Sequence, residues 1–418
     1  MAYKFIAERG KGGFGVVNEV ESPDGIRFAC KVLNVPAHLD TATVRPRFER
    51  EVKYQSTIDH PNVVQIYEQH LDSDPPWFIM PLAQCSLLDE LKQDRTLGGD
   101  PTKPLFHILA GLEEIHHLGF CHRDLKPGNV LKFCGSDGSP VYALSDFGLI
   151  AVGEDASSTL TPSGMGGGTP AYQAPECAIN FKRATARSDI YSFGAMLHDI
   201  FGSSTKRLPH EELTAPGAIG PVIEKCTKRN AHRRYKNVEE LREALFEALN
   251  NYKFQMGSDE EQKIIGILTQ EEHVITPEEW DVVFDFLDET PDTGIPTKNV
   301  FRALKREHIE QLHTDDPDLM DALGKMFANH CRTRSFDFDY TDILAAKAQL
   351  FYDYGEFGLK ADIAIGLLVM GTNHNRWFVE RKFLSMAGPE AHEALIKRMI
   401  VEMSVLNVDV NLELKHVC

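Results

Sequence analysis

Features that would mark a 418-residue chain as membranous, disulfide-stapled or nucleic-acid binding are nearly absent from this one. The longest apolar run near its C-terminus, IAIGLLVMG at 363–371, is far short of the roughly 20 residues a bilayer-spanning helix needs, so no membrane span is expected. The opening MAYKFIAERGKGGFG carries charge where a secretory signal needs a continuous apolar stretch, so export is not expected and a cytoplasmic location is. Eight cysteines, at 30, 85, 121, 134, 177, 226, 331 and 418, form no C-x-x-C pair and no Cys/His array at zinc spacing, which points to reduced thiols. Basic charge is in deficit: 44 Lys+Arg against 62 Asp+Glu give a net charge of -18, and neutralising nucleic-acid phosphates needs a basic surface. There is no internal repeat and no low-complexity tract.

The remaining composition, 42% hydrophobic and 25% charged, is that of an ordinary globular protein long enough for two or three domains. The first 70 residues alternate β-branched runs with turn signals: GVVNEV, the turn ESPDG, then IRFACKVLNV. RPRFEREVKYQSTI has helical spacing, and HPNVVQIYEQH and WFIMPLA read as further strands. Past PLAQC at 81–85 the pattern becomes helical, as in LFHILAGLEEIHHLG and SDIYSFGAMLHDIFG, up to VEELREALFEALNNY, which ends at Tyr252. A boundary is expected there. Residues 253–418 read as an all-α domain, with a capping box at Thr276 and Glu279 opening one helix. That domain is the acidic one, holding 17 Lys+Arg against 30 Asp+Glu, while residues 1–252 hold 27 against 32.

Several residues carry possible phosphate chemistry. GKGGFGVV at 10–17 fits G-x-G-x-x-G-x-V, where glycines let backbone N–H groups approach phosphate oxygens; alone it is a glycine-rich turn as readily as a site. Lys31 interrupts the apolar strand FACKVL, and either snorkels or has an anionic partner; Glu51, twenty residues on, could be that partner or a solvated helix residue. In HRDLKPGN at 122–129, Asp124 could accept a hydroxyl proton, Lys126 could neutralise a phosphoryl group, and Asn129 could turn its oxygen to a divalent cation. SDFGL supplies Asp146 as a second metal ligand. Each aspartate alone could be a turn residue or a cap, but the set in this order is not coincidence.

With A-x-K at 29–31, DFG at 146–148 and APE at 174–176 in place, residues 1–252 resemble the eukaryotic-type serine/threonine protein kinase family, a bacterial member by its closing helix. The resemblance implies an α+β bilobal fold, with a β-rich lobe over about 1–82 and a helical lobe over about 83–252. It implies ATP in the cleft between them, covered by Gly10, Lys11, Gly12, Gly13, Phe14 and Gly15. Val17, Ala29 and Leu131 would enclose the adenine, with Met80, Leu82 and Ala83 along its edge. Lys31, paired with Glu51, would touch the phosphates, Asn129 and Asp146 would hold Mg2+, and Asp124 would be the catalytic base, aided by Lys126. The lysine at 126 and GTPAYQAPE favour serine or threonine acceptors on protein substrates. The resemblance also implies a structural Glu176–Arg234 pair, an Asp189 that braces the catalytic loop, and a substrate-pocket Thr169. Arg123 would pair with a phosphate on Thr159, Thr161 or Ser163 of the 153–169 loop after autophosphorylation.

Three departures stand out. Gln55 occupies a position, four after Glu51, where the family has a bulky apolar residue; a polar side chain there either weakens docking of the helix or requires a hydrogen-bond partner, unless the local register differs or the helix is loose and set by a partner. The insertion KFCGSDGSP needs a longer hairpin, and the segment 201–220 is short for the family's peripheral helices. The alternative function is a nucleotide-binding pseudokinase scaffold acting through its acidic tail, against which the complete motif set speaks. For 253–418 the expected role is recognition, of a basic protein partner or of the kinase domain itself as a regulator, with an acidic solubilising domain as the alternative. FDFDYTD at 336–342 is expected to be solvated acid rather than a calcium loop, and His313, His330, His374 and His392 to be surface or satisfied core residues.

Overall fold

The β-branched runs on either side of ESPDG pair as their pattern suggests. The computed structural model describes residues 3–11, 15–35, 41–135, 138–147, 151–152, 170–180, 183–250, 257–270, 273–290, 295–334, 336, 338–374, 377–388, 391–406 and 408. In it, β1 (Lys4–Lys11), β2 (Gly15–Glu21), β3 (Arg27–Leu33), β4 (Glu68–His70) and β5 (Trp77–Pro81) form an antiparallel sheet in the order β1–β2–β3–β5–β4. Register sets Lys31 between Val17 on β2 and Phe78 on β5. One face of the sheet, carrying Ala29, Leu33, Phe78 and Met80, packs on Val44, Phe48 and Val52 of α1 (Thr41–Gln55). Those three lie four residues apart, a single stripe down the helix.

α1 starts four residues before the stretch expected to be helical and stops at Gln55, three residues short of its end. HPNVVQIY, expected as strand, is mostly irregular. Pro61 has no N–H for a ladder, and the segment makes one isolated parallel bridge, Val63 to Leu144, before β4 begins. The amide of Val64 donates to the Leu144 carbonyl at 2.9 Å, and the amide of Leu144 donates to the Asn62 carbonyl at 2.9 Å.

Beyond Pro81 the chain turns helical. β6 (Cys85–Ser86), α2 (Leu87–Gln93), α3 (Thr102–His117), β7 (Phe120–Cys121), β8 (Val130–Cys134), β9 (Pro140–Leu144), β10 (Ala151–Val152), α4 (Pro175–Ile179), α5 (Ala186–Phe201), α6 (Ile219–Cys226) and α7 (Val238–Asn250) follow in order. The core of this lobe is α5, buried from Ser188 to Ile200, with the apolar face of α3 at Leu105, Ile108, Leu109, Leu112 and Ile115. The insertion after Lys132 is absorbed by a β8–β9 hairpin, closed where the Gly135 amide donates to the Ser139 carbonyl at 2.8 Å. The result is an α+β unit with a β-rich lobe and a helical lobe.

The chain divides into two compact units, Met1–Asn251 and Tyr252–Cys418. In the second, the described elements are all helices: α8 (Asp259–Thr269), α9 (Pro277–Glu289), α10 (Ile295–Ala303), α11 (Arg306–Asp315), α12 (Pro317–Thr333), α13 (Phe338–Tyr354), α14 (Phe357–His374), α15 (Trp377–Ala387) and α16 (Glu393–Val405). Thr276 caps α9 reciprocally with Glu279. α14, which carries IAIGLLVMG, is apolar all round because α12, α13, α15 and α16 pack on it. Among the described residues no helix is long and apolar enough to cross a membrane.

One expectation for this unit fails at Asp342, while Asp337 and the side chain of Asp339 lie outside the described residues. Thr341 and Asp342 of FDFDYTD are fully buried in the first turns of α13, because α11, α12, α14 and α15 pack around that helix and leave little of it to solvent. Lys347 on the same helix is also buried, its Nζ donating to the carbonyls of Phe301 and Arg302 at 3.0 Å and so closing the end of α10. Of the histidines, His330 is buried against Phe301 and Phe336, His313 stacks on Tyr354 at 4.5 Å, and the His392 side chain caps α16 by accepting from the Ala394 amide. His374 is the last residue of α14.

Gly111 in α3 lies where a Cβ would stand 2.5 Å from the Asn62 carbonyl oxygen and 3.0 Å from Leu144. Gly111→Ala therefore has to push the two lobes' contact apart, and is expected to destabilise the first unit by about 1–3 kcal/mol, the usual cost of overpacking. Chemical denaturation of the full chain and of Gly111→Ala measures it.

Candidate active site

A cleft of about 830 Å³ opens between the two lobes of the first unit. Its outer walls are apolar, formed by Val17, Ala29, Met80, Leu82, Ala83 and Leu131, with Gly10, Lys11 and Gly15 as part of its roof. Space at Gly15 is tight: a Cβ there would sit 3.2 Å from the Lys31 side chain and 3.3 Å from the Val32 carbonyl, so a larger residue would press on Lys31. Gly10 has nothing within 4 Å of a built Cβ, so protein packing does not call for glycine at that point. Gly12, Gly13 and Phe14 lie outside the described residues.

At the inner end the charged groups converge. Lys31 Nζ donates to Glu51 Oε1 at 2.5 Å and to Asp146 Oδ1 at 3.3 Å, and all three residues line the cleft. Burial works against the Lys31 charge, but Asp146 and Glu51 outweigh it, so the ammonium is held above the ordinary lysine value. The same ammonium, against the opposing effect of burial and with help from Lys126, keeps the Asp146 carboxyl below the usual carboxylate range. Asp146 adopts a left-handed φ of 65°, a conformation uncommon outside glycine, and the buried Phe147 behind it packs on the His122 ring at 5.1 Å.

HRDLKPGN is a loop braced from below. Asp189, buried in the first turn of α5, accepts the amides of His122 and Arg123, each at 2.8 Å, and its Oδ2 lies 2.9 Å from His116 Nε2 on α3. Arg123 turns the chain with a φ of 67°. Asp124 follows, and Lys126 Nζ donates to its Oδ2 at 2.6 Å. Asn129 Nδ2 donates to the Asp124 carbonyl at 2.8 Å and to Oδ2 at 3.2 Å, while the Asn129 carbonyl accepts Ser145 N at 2.9 Å and Ser145 Oγ at 3.0 Å. Asn129 and Asp146 thus share one wall. Asp124 and Lys126 are not among the cleft's lining residues and reach it through Asn129.

Among the described residues no group of three or more His, Cys, Asp or Glu stands at metal-ligand distance. Asn129 and Asp146 offer two hard oxygen donors, a set that fits Mg2+ when substrate phosphates complete its coordination.

Glu176 and Arg234 form a bidentate pair, with Nη1 donating to Oε1 at 2.7 Å and Nη2 to Oε2 at 2.8 Å. Ser188 Oγ also donates to Glu176 at 2.8 Å, and the Arg234 guanidinium lies over the Tyr191 ring. The short segment after α5 contributes more than its length suggests. Arg207 pairs with Asp199 and donates from Nε to the Ala171 carbonyl at 3.1 Å, Tyr172 Oη donates to Asp199 at 2.7 Å, and His210 Nδ1 lies 2.8 Å from the Gln173 carbonyl. Neither these residues nor His116 stand out in the sequence, since contacts to backbone carbonyls and to carboxylates brought close only by tertiary packing leave no spacing signature. Gly148, Thr159, Thr161, Ser163 and Thr169 lie outside the described residues.

Residues 3–267 match the family model described as protein kinase domain. Over 212 residues the chain is 34% identical to the serine/threonine-protein kinase pkn2 of Myxococcus xanthus, covering 50% of this chain and 25% of that protein. It is 34% identical over 203 residues to the DNA damage-responsive serine/threonine-protein kinase RqkA of Deinococcus radiodurans, covering 47% and 29%. With the serine/threonine-protein kinase PksC of Streptomyces coelicolor the identity is 30% over 267 residues, covering 56% and 46%. The chain therefore matches less than half the length of each of these relatives.

The Asp189 brace makes stability depend on pH. Burial pushes its carboxyl up, but the bonds from His116 and the two loop amides prevail and hold it below the usual range. A carboxyl lowered on folding stabilises the fold above its unfolded pKa of about 3.9, and that contribution fades as pH falls through the lower folded value. Asp189→Asn replaces one acceptor oxygen with a donor facing an amide, and is expected to cost about 1–3 kcal/mol near neutral pH. Urea titrations of both proteins should show the gap full at about pH 6 and narrowing below about pH 4.

Proposed function

The chain belongs to the protein kinase family, and from that premise we propose that it transfers the γ-phosphoryl group of ATP to serine or threonine hydroxyls of protein substrates. The observation that carries this reading is the placement of Lys31 between Glu51 and Asp146 on the cleft that Asn129 also lines. The adenine fits between Val17 and Ala29 above and Leu131 below, with Met80, Leu82 and Ala83 along its edge. Lys31 binds and orients the α/β-phosphates, its charge secured by its two carboxylate partners.

Asp124 orients the acceptor hydroxyl and takes its proton, while Lys126, bonded to Asp124, would offset negative charge on the group in transit. Asn129 and Asp146 would hold Mg2+, which when bound would neutralise phosphate charge. Arg207 and His210 hold the backbone of Ala171 and Gln173, on which an acceptor peptide would rest. The serine/threonine assignment draws on Lys126, on GTPAYQAPE and on the relatives named as serine/threonine-protein kinases.

The proposal extends to autophosphorylation on Thr159, Thr161 or Ser163, and to a recognition role for residues 253–418 toward a basic protein partner or the kinase domain. A cytoplasmic location is part of it, consistent with the unbridged state of the described cysteines. The rival, a pseudokinase scaffold, has no use for a complete set of Lys31, Asp124, Asn129 and Asp146.

With γ-labelled ATP and Mg2+, the native chain should label itself or an added protein, and hydrolysis should release phosphoserine or phosphothreonine. Asp124→Asn should lower the rate by about 10²–10⁴-fold, the usual contribution of a positioned base, while nucleotide affinity stays near native. Binding without transfer by the native chain would instead support the scaffold.

A further inference from the structure

α1 ends on Gln55, whose side chain is only 1% exposed and lines the cleft beside Glu51, one helical turn earlier. Its Nε2 donates to the Val64 carbonyl at 2.6 Å. Its Oε1 is buried and accepts no hydrogen bond among the described residues. An apolar side chain of similar length would fill this space without stranding a polar atom, so packing alone does not account for an amide here.

What the amide reaches does account for it. Val64 donates to Leu144, and Leu144 donates to Asn62, whose Nδ2 donates to the Tyr142 carbonyl at 2.8 Å. Leu144 ends β9, two residues before Asp146. A continuous chain of hydrogen bonds therefore runs from the end of α1, which carries Glu51, to the strand that leads into Asp146. These are the two carboxylates that Lys31 contacts, at 2.5 and 3.3 Å.

We propose that Gln55 is a positioning residue for phosphoryl transfer: its bond to Val64 fixes α1 to the strand entering Asp146 and so sets the separation of Glu51 and Asp146 across Lys31. This rests on the kinase reading above and adds a residue to it. A packed apolar contact is non-directional and tolerates sliding, whereas a 2.6 Å hydrogen bond to one carbonyl holds a single register.

Two variants of the full chain test the proposal. Gln55→Leu keeps the bulk and loses the donor. It is expected to weaken MgATP binding, read by calorimetry, about fivefold and to lower kcat about tenfold, with a thermal transition close to native. Gln55→Glu has nearly the same shape but donates to Val64 only when protonated, and when ionised adds a third carboxylate beside Glu51 and Asp146. Its kcat relative to native should rise at least about threefold between about pH 8 and about pH 6, a change that loss of packing would not produce. Gln55→Leu within about twofold of native in both constants, or a flat pH ratio for Gln55→Glu, overturns the proposal. If Gln55→Leu does not fold, the pH ratio decides alone. A native chain that binds no MgATP refutes the kinase reading, whereas a native chain that binds and transfers alongside indistinguishable variants refutes only the role of Gln55.

Discussion

The contact on which the rest of the first unit depends is the one between the Lys31 ammonium and two carboxylates from different parts of the chain, Glu51 on α1 and Asp146 after β9. It is not a device for stability, because burying the Lys31 ammonium and the Glu51 carboxylate costs several kcal/mol and their attraction does little more than offset it. What it provides is position. An ammonium fixed in a cleft of low dielectric, with its charge secured, meets incoming phosphate without having to reorganise. The sheet, the docking stripe of α1 and the β8–β9 hairpin each bring one of the three residues to that point.

A second set of charges serves the helical lobe in another way. Asp189 and Arg234 are buried, and each is paired with several backbone or carboxylate groups: the former with the amides of His122 and Arg123, the latter with Glu176 and carbonyls around it. Asp189 holds the catalytic-loop backbone, whereas Arg234 ties α4 and the start of α5 to the turn after α6. Satisfying loop backbone from a side chain rooted in the core lets Arg123 keep a left-handed conformation that would otherwise relax.

Much of this was legible in the sequence, for a physical reason: residues that must meet phosphate, metal and hydroxyl at fixed distances cluster in short loops, so their spacing survives in one dimension. HRDLKPGN, the strand lysine and the helix glutamate are of that kind, and Lys31, Glu51, Asn129 and Asp146 share one cleft. The α+β character and the capping box at Thr276 were likewise visible in local pattern. What was not legible depends on groups without a sequence signature. The partner of Gln55 is a backbone carbonyl, as are those of Arg207 and His210, and His116 meets Asp189 only through tertiary packing. Charge misled at Asp342, where four neighbouring helices decide burial, and alternation misled at HPNVV, where Pro61 denies the ladder a donor.

The tight seating of Gly111 on the Asn62 carbonyl, with Val64 bonded to β9, has a mechanical corollary. The stretch from Asn62 to Val64 is fastened to the helical lobe, although it sits between two elements of the β-rich one. α1 is thereby moored at both ends, by Gln55 to a carbonyl fastened to β9 and by Arg45 to the carbonyls of Leu71 and Ser73 beyond β4. At 1.5 Å per residue Glu51 lies about 6 Å along the axis from the Gln55 mooring, so a displacement of the helical lobe against the sheet would pull on the helix at the end nearest that glutamate.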